Sequence, residues 1–206
     1  MNDKQQGKTV MNTTLKIKLL SAIIISTLFI GCGTTDNTVA VAGVSDSQVN
    51  ITVNQQELLD AINKARSIQR DCYPDDSRGV VGPSPKLYWN DELYASALEH
   101  STDLAMSDTF SHYGSGTKYD ITGDGKPSIF YERIVANGYS NYYTVGENIA
   151  GGQTTLEEVM EAWLASPGHC ENIMNPNYTE VGIALVIEAD STYGTYWTQN
   201  FGSKRQ

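Results

Sequence analysis

The sequence predicts an α+β domain in which amphipathic helices pack against a small antiparallel sheet. Four segments show the apolar spacing of one-sided helices, and each has a recognisable start or stop signal. Two runs rich in β-branched and aromatic residues follow late in the chain and lie close together. Because helices outnumber strands and the strands are mostly neighbours, we expect a layered α+β domain.

The first two helices are predicted from polar N-terminal caps. Asn54 caps the first helix, because Glu57 three residues later completes a capping box. The apolar positions behind this cap are Leu58, Leu59, Ile62, Ala65 and Ile68. Asn90 caps the second helix. Its apolar face consists of Leu93, Ala97, Leu104 and Ala105.

Two further helices are predicted from their ends. The third covers residues 127–138 and ends at Gly138, a residue type favoured at helix C-termini. The fourth covers residues 154–166, begins with a capping box of Thr155 and Glu158, and ends at Pro167.

The strands are predicted in the C-terminal third of the domain. Residues 179–189 and 193–201 are strand-like runs separated by the turn sequence "DST", which predicts an antiparallel hairpin. The segment "VGENIA", residues 145–150, predicts a shorter extended piece. No internal repeat and no second hydrophobic core is visible, so the sequence predicts one domain.

The N-terminus has the pattern of an export signal. Residues 19–30 form an apolar run that follows Lys16 and Lys18, and the run is short for a permanent membrane span. It ends before Cys32 in a pattern that resembles a bacterial lipoprotein signal, which implies lipidation of Cys32; a plain signal peptide is the alternative, and Met11 is an alternative start. We expect a signal at 1–31, a flexible polar tether at 32–53 and a folded domain at 54–206. The protein is then exported, either lipid-anchored in the cell envelope or secreted.

The charge of the chain argues against nucleic-acid binding. The formal net charge is −10, and removal of residues 1–31 leaves 10 basic against 23 acidic side chains. Such a surface repels nucleic acid and anionic lipid headgroups. We therefore expect no nucleic-acid partner and membrane contact only through the lipid anchor.

Two cysteines remain once Cys32 is assigned to the anchor. In an oxidising compartment Cys72 and Cys170 are expected to form a disulfide. A shared zinc site is the rival interpretation, but the chain has only three histidines and no Cys-x-x-Cys spacing.

The ionisable side chains suited to chemistry are few. His112 and His169 each follow a helix end, where loops expose side chains to a ligand, and Glu147 lies in the extended "GEN" segment. Two imidazoles and a carboxylate suit either a divalent-metal site or an acid/base pair, if they converge. A structural role for Glu147, in which it caps backbone amides, is the alternative. His100 lies within the second helix, so we expect it to be a packed or solvated residue.

Five segments carry a resemblance to a known family: "LYWNDELYASALEHSTDLA", "FSH", "VGENIAGGQTTLEEVMEAWLASPGHCENIMNP", "YTEVGIAL" and "YWTQNFG". They occur in order and cover most of the chain beyond residue 54. They resemble the bacterial branch of the CAP superfamily, the SCP-like extracellular domains. The resemblance implies a three-layer α-β-α sandwich.

The resemblance also implies a site. In the family, two histidines and two glutamates line a central cavity that can hold a divalent cation such as zinc. His112, Glu147 and His169 match three of these positions, whereas Ser166 stands where the second glutamate is expected. Glu161 is one turn away but does not match. A cation site of three ligands is therefore expected to be weak or to need water or substrate.

The segment "DITGDG", residues 120–125, imitates the first half of a calcium-binding loop. Asp120, Thr122, Asp124 and Gly125 match, but Tyr131 stands where the loop needs a glutamate. We expect a polar turn, with calcium binding as the minor alternative.

The sequence favours a non-enzymatic binding module whose His/Glu cavity engages a small molecule, a lipid, a divalent metal or an extracellular protein. The alternative is a metal-assisted hydrolase acting on peptide or envelope material, with His112 and His169 as ligands and Glu147 polarising a water. Serine or cysteine hydrolysis has no support, because no G-x-S-x-G occurs and the cysteines are expected to be paired. A third possibility is a structural or host-interaction surface that uses the exterior alone.

Overall fold

The computed structural model describes residues 53–205. The predicted signal at 1–31, the lipidation site at Cys32 and nearly all of the predicted tether lie outside these residues. In the described part the helices are α1 (Gln55–Arg66), α2 (Asp91–Ser107), α3 (Phe130–Ala136), α4 (Leu156–Ala165) and α5 (Pro167–Met174). The strands are β1 (Arg70–Asp71), β2 (Val80–Val81), β3 (Tyr88–Trp89), β4 (Tyr142–Gly151), β5 (Glu180–Ile187) and β6 (Thr195–Lys204).

The main sheet has four strands in the order β3-β5-β6-β4. The predicted hairpin is present as β5 and β6, which pair antiparallel from Glu180↔Gly202 to Ile187↔Thr195. β4 also pairs antiparallel with β6, whereas the two-residue β3 pairs parallel with β5. β4 is ten residues long rather than a short extended piece, because β6 offers it a partner along nearly its whole length.

The sheet lies between two helical layers, which confirms the predicted α-β-α sandwich. Helix α2 packs on β5 and β6, and α3 packs on α2 and β4. On the other face α1, α4 and α5 contact one another and the sheet. Side chains along β5 point alternately to the two faces of the sheet. Those of Val181, Ile183 and Leu185 belong to the core between the sheet and the layer of α1, α4 and α5. The side chain of Val186 belongs to the core under α2.

Three of the four predicted helix starts are confirmed, whereas the third helix, predicted for residues 127–138, covers only Phe130–Ala136. Asn54 and Thr155 make complete capping boxes at α1 and α4, and the Asn90 side chain accepts from the first amides of α2. The interpretation of Pro167 was incomplete: α4 ends just before it, but Pro167 is the first residue of α5. Proline suits this position because the first turn of a helix leaves its backbone N–H groups without intrahelical partners.

The predicted disulfide is present. Cys72, just after β1, is bonded to Cys170 in α5, and both are buried in the core of the α1, α4 and α5 layer. The bridge closes a loop with a sequence separation of 98 residues. It ties the segment between α1 and α2 to the helix that also carries His169.

Candidate functional site

A cavity of about 420 Å³ opens beside β4, the strand at one end of the main sheet. Side chains from both helical layers reach it around this edge. Its walls are His112, Tyr113, Ile129, Phe130, Val145, Gly146, Glu147, Asn172 and Tyr178. Two of the three predicted site residues, His112 and Glu147, therefore line the same cavity.

Alternation along β4 decides which side chains reach which layer. Asn148 and Ala150 face the layer of α5, where the Asn148 amide donates to the His169 carbonyl at 3.2 Å. Glu147 and Ile149 face α2 and α3. The carboxylate of Glu147 is consequently buried beneath the loop that follows α2.

Position 146, directly before Glu147, has no room for a side chain, and glycine fits there. A Cβ atom there would overlap the hydroxyl of Tyr178 and press on Oδ1 of Asn172. The absence of a side chain lets these two residues pack against β4 and form a wall of the cavity. The glycine of "GEN" therefore has a packing role.

His112 lies in the loop after α2, as predicted, and its ring is anchored by Glu147. Its Nδ1 lies 3.0 Å from Oε1 of Glu147, while half of its side chain, 50 %, is exposed. A carboxylate only accepts hydrogen bonds, so Nδ1 carries the proton of this contact. Nε2, on the other side of the ring, is left for a ligand in the cavity.

Arg133 of α3 is the second partner of Glu147, and it was not predicted. Its Nη2 donates to Oε2 at 2.9 Å and to Oε1 at 3.2 Å. The same nitrogen donates to the carbonyl of His112 at 3.0 Å, and Nη1 donates to Ser128. One guanidinium thus joins α3, the loop of His112 and β4.

His100 of α2 is the third neighbour. It is fully buried, with Nε2 2.9 Å from the carbonyl of Ser111 and 3.8 Å from Oε1 of Glu147. Burial lowers the pKa of His100 to about 4, so the ring is neutral near pH 7 and donates from Nε2. The expectation of a packed helical histidine is confirmed, but this one packs against the site.

The environment of Glu147 keeps it ionised. Burial by itself raises the pKa of a carboxyl, but attraction to His100, the hydrogen bond from His112 and the charge and hydrogen bonds of Arg133 outweigh it, and the pKa of Glu147 lies below its usual range. Because His100 is neutral near pH 7, Arg133 is the buried cation that balances the carboxylate there. Asn200 of β6 is the strand partner of Glu147. Its side-chain amide satisfies all its neighbours when the oxygen and nitrogen are exchanged, and in that orientation the nitrogen donates to Oε2 of Glu147 at 3.3 Å.

His169 lies in the first turn of α5 rather than in a loop, which corrects the expectation from its Pro-Gly neighbours. Its side chain is half-buried and is not among the residues that line the cavity. Burial and, secondarily, the charge of His112 lower the pKa of His169. His169 therefore does not belong to the wall that His112 and Glu147 form.

The donor set fits a resident metal ion poorly. Among residues 53–205 no group of three or more His, Cys, Asp or Glu side chains is arranged to hold a metal. Both oxygens of Glu147 already accept from Arg133, whose positive charge opposes that of a cation. Glu161, the nearest substitute for the second glutamate, lines a separate groove between α1 and α4.

The segment 120–125 is a turn braced by its own aspartate, as expected. Oδ2 of Asp120 accepts from the amides of Gly116 and Ser128, and Asp120 is buried. Ser128, whose amide donates to Asp120, also accepts hydrogen bonds from Nη1 of Arg133 through its carbonyl and its hydroxyl. The turn therefore supports the site indirectly, by fixing the segment that enters α3.

Arg133 was not identified from the sequence, and His100 was expected to be a packed or solvated residue and was not assigned to the site. Each lies within a helix in a segment that reads as ordinary amphipathic surface. A signal was available for Arg133, since "FYERIVA" places a basic residue beside Ile134, a position of the apolar face. It does not reveal which acidic residue the guanidinium meets.

Comparison with known proteins agrees with the fold. The chain is 33 % identical over 170 residues to "Uncharacterized protein YkwD" of Bacillus subtilis (strain 168), covering 82 % of this chain and 57 % of that protein. It is 29 % identical over 150 residues to "Uncharacterized membrane protein YlbC" of the same strain, covering 73 % and 34 %. The crystal structure of an extracellular protein containing a SCP domain from Bacillus anthracis str. Ames superposes with a TM-score of 0.53 at 26 % identity, covering 72 % of this chain and 40 % of that one.

The chain thus spans little more than half the length of one curated relative and about a third of the other. Within residues 53–205, none of the helices has the length and apolar character needed to cross a membrane. The model of the Cysteine-rich secretory protein family, CAP, matches residues 59–201, which is most of the domain described above. This chain belongs to the CAP family.

Proposed function

We propose that this chain is an exported CAP-domain binding protein whose cavity beside β4 holds a small, largely uncharged ligand. The observation that carries the proposal is the pair formed by Glu147 and His112, in which Nδ1 is held at 3.0 Å and the ring is half exposed. The fixed ring presents Nε2 as an acceptor when neutral and as a donor when protonated. A hydroxyl or amide group of a ligand can use either.

The walls of the cavity support an uncharged ligand. Apolar and aromatic side chains from Ile129, Phe130, Val145 and Tyr178 surround a few polar groups, which is the usual composition of a small-molecule site. The one carboxylate on the wall is balanced by Arg133. A charged ligand would therefore enter without a counter-charge, and an anion would also meet the net charge of −10 of the whole chain.

Binding is favoured over hydrolysis by the partners of His112. Within the described residues its ring is hydrogen-bonded to Glu147, and no hydrogen bond links it to a serine, threonine or cysteine side chain. Glu147 has its oxygens bonded to Arg133, so it is poorly placed to polarise a water. The metal-assisted hydrolase remains the alternative that the experiment below tests.

Export is supported by two observations. A buried disulfide suits an oxidising compartment, and the relative from Bacillus anthracis is described as an extracellular protein. We further propose that Cys32 carries a lipid. A Cys32→Ser variant is expected to move from the membrane fraction to the medium or the soluble fraction; an unchanged distribution contradicts the anchor.

The binding proposal is tested by following the imidazole resonances of the full chain by NMR. Soluble peptidoglycan fragments, neutral oligosaccharides, short peptides and esters are added in turn, each with and without zinc. The expected result is a saturable shift of the His112 resonance by at least one probe. In His112→Ala the reporter ring is absent, so binding is followed there by the backbone amide resonances, and it is expected to be lost. His169→Ala, outside the cavity wall, is expected to retain binding.

The same samples separate the alternatives. Turnover of any probe that disappears in His112→Ala supports the hydrolase and contradicts a pure binding role. Saturable binding that is unaffected by His112→Ala places the ligand on another surface and contradicts this cavity.

A further inference from the structure

Arg133 is hydrogen-bonded to Glu147, the carboxylate that the family pattern assigns to a cation. Its Nη2 lies within hydrogen-bond distance of both oxygens of Glu147, at 2.9 and 3.2 Å. Both side chains are almost completely buried. The charge of the carboxylate is therefore already compensated from inside the protein, on the side away from solvent.

The guanidinium is also held in place from several directions. Nη1 donates to the hydroxyl and the carbonyl of Ser128, and Nη2 donates to the carbonyl of His112. The planar, permanently charged group of arginine matches such a set of acceptors well. Moving Arg133 aside would leave the Ser128 acceptors and the His112 carbonyl without this donor and the carboxylate without its counter-charge, so the arrangement resists displacement by an incoming ion.

A divalent cation at this site would compete for the lone pairs of the Glu147 oxygens, which already accept hydrogen bonds from Arg133 and His112. Zinc binds imidazole nitrogen and carboxylate oxygen at about 2.0–2.2 Å. At Glu147 it would stand beside a buried guanidinium, and at Oε1 it would compete with the hydrogen bonds from Nδ1 of His112 and Nη2 of Arg133. Like charges in a buried setting oppose each other strongly.

We infer that Arg133 serves as the built-in cation of this site, so that Glu147 and His112 orient a ligand without a metal and acquire affinity for a divalent ion only when Arg133 is removed. Arg133 is thus a specificity-determining residue that acts through Glu147. The inference does not depend on which ligand the cavity takes.

The test is a zinc titration of the full chain by calorimetry, with four variants. Arg133→Met removes the charge and preserves much of the side-chain volume, and it is expected to bind zinc at least about tenfold more tightly than the parent. Arg133→Lys keeps the charge and is expected to show no gain. Arg133→Met combined with Glu147→Gln is expected to lose the gain, because the freed carboxylate is its source.

Two results overturn the inference: a parent that binds zinc as tightly as Arg133→Met, or a gain that persists in the double variant. If Arg133→Met does not fold, the parent and the single variant Glu147→Gln decide the question. Glu147→Gln is then expected to leave the parent's zinc affinity unchanged, whereas a loss of about tenfold shows that Glu147 is a metal ligand after all. These readouts are zinc affinities, so they are independent of the probe-induced shifts that test the binding proposal.

Discussion

Nη2 of Arg133 lies 2.9 Å from Oε2 of Glu147, and each of the two side chains is only 1 % exposed. The two residues belong to different elements, α3 and β4, and their ion pair also holds the carbonyl of His112. This one contact connects the loop that bears the exposed imidazole to the edge of the sheet. The pair therefore links the stability of the domain to the geometry of its cavity.

Removing one partner of this pair is expected to destabilise the protein strongly. Arg133→Met leaves a buried carboxylate without its counter-charge, and the free energy of unfolding in urea should fall by about 3–5 kcal/mol. The matched control is Lys204→Met, since Lys204 pairs with Glu92 at 2.7 Å with both side chains about 40 % exposed. An exposed pair of this kind contributes about 0–1 kcal/mol, and equal losses in the two variants would contradict a special role for the buried pair.

Acid is expected to destabilise the fold through His100. Its pKa is about 4 in the folded protein and 6.5 ordinarily, so between these values the unfolded chain binds more protons. The free energy of unfolding should accordingly fall as the pH drops from 6.5 towards 4, and the total loss over this pH range is about 3 kcal/mol. Glu147, Arg133 and His112 are the charged or titratable groups beside the ring.

This expectation is measured by urea unfolding at several pH values between 7 and 4. Glu147 has a lowered pKa, so its own loss of stability begins as the pH falls through the ordinary carboxyl range, at the acidic end of this series, and continues below it. The variant His100→Gln should show a flatter dependence between pH 6.5 and 4 than the parent. Parallel curves for the two proteins would rule out His100 as the source.

The disulfide is expected to stabilise the domain mainly by restricting the unfolded chain. For a loop with a separation of 98 residues, the chain-entropy model gives about 4–5 kcal/mol. The double variant Cys72→Ala, Cys170→Ala should lose a stabilisation of this order in urea unfolding. A reductant should destabilise the parent by a similar amount and leave the double variant unchanged; a reductant effect on both would point to another cause.

Close packing of α2 on the sheet is expected to forbid a side chain at Gly182. A Cβ atom on this β5 residue would overlap backbone atoms of Leu93 and Tyr94, which cannot rotate away. Gly182→Ala should therefore destabilise the fold by about 1–3 kcal/mol or more, measured by thermal or urea unfolding. Gly168→Ala is the control, because a Cβ there meets nothing within 4 Å. It should be neutral or slightly stabilising, since alanine favours a helix more than glycine does.

Much of the fold followed from local signals. Asn54, Asn90 and Thr155 cap helices through contacts two or three residues along the chain, so the sequence alone contains both partners. The hairpin of β5 and β6 is similarly local. The helix α5 was not predicted, because the Pro-Gly pair at its start resembles a break and the whole helix has only eight residues.

The site was predictable in part. His112 and Glu147 were identified from their match to the family pattern, and the structure places them 3.0 Å apart. His169 was identified in the same way, yet it lies off the cavity wall. Whether any of the three binds a metal stays a prediction, which the zinc titration examines.

By itself, the sequence determined the class of fold, the helix caps, the hairpin and the pairing of Cys72 with Cys170, because these depend on short-range patterns or on a small number of candidates. Only the tertiary structure decided the electrostatics of the cavity. Arg133 and His100 approach Glu147 from separate helices, and their effect depends on burial, which no local pattern of charges reveals. The strength of a charge interaction is set by the distance and the solvent exposure that the fold creates.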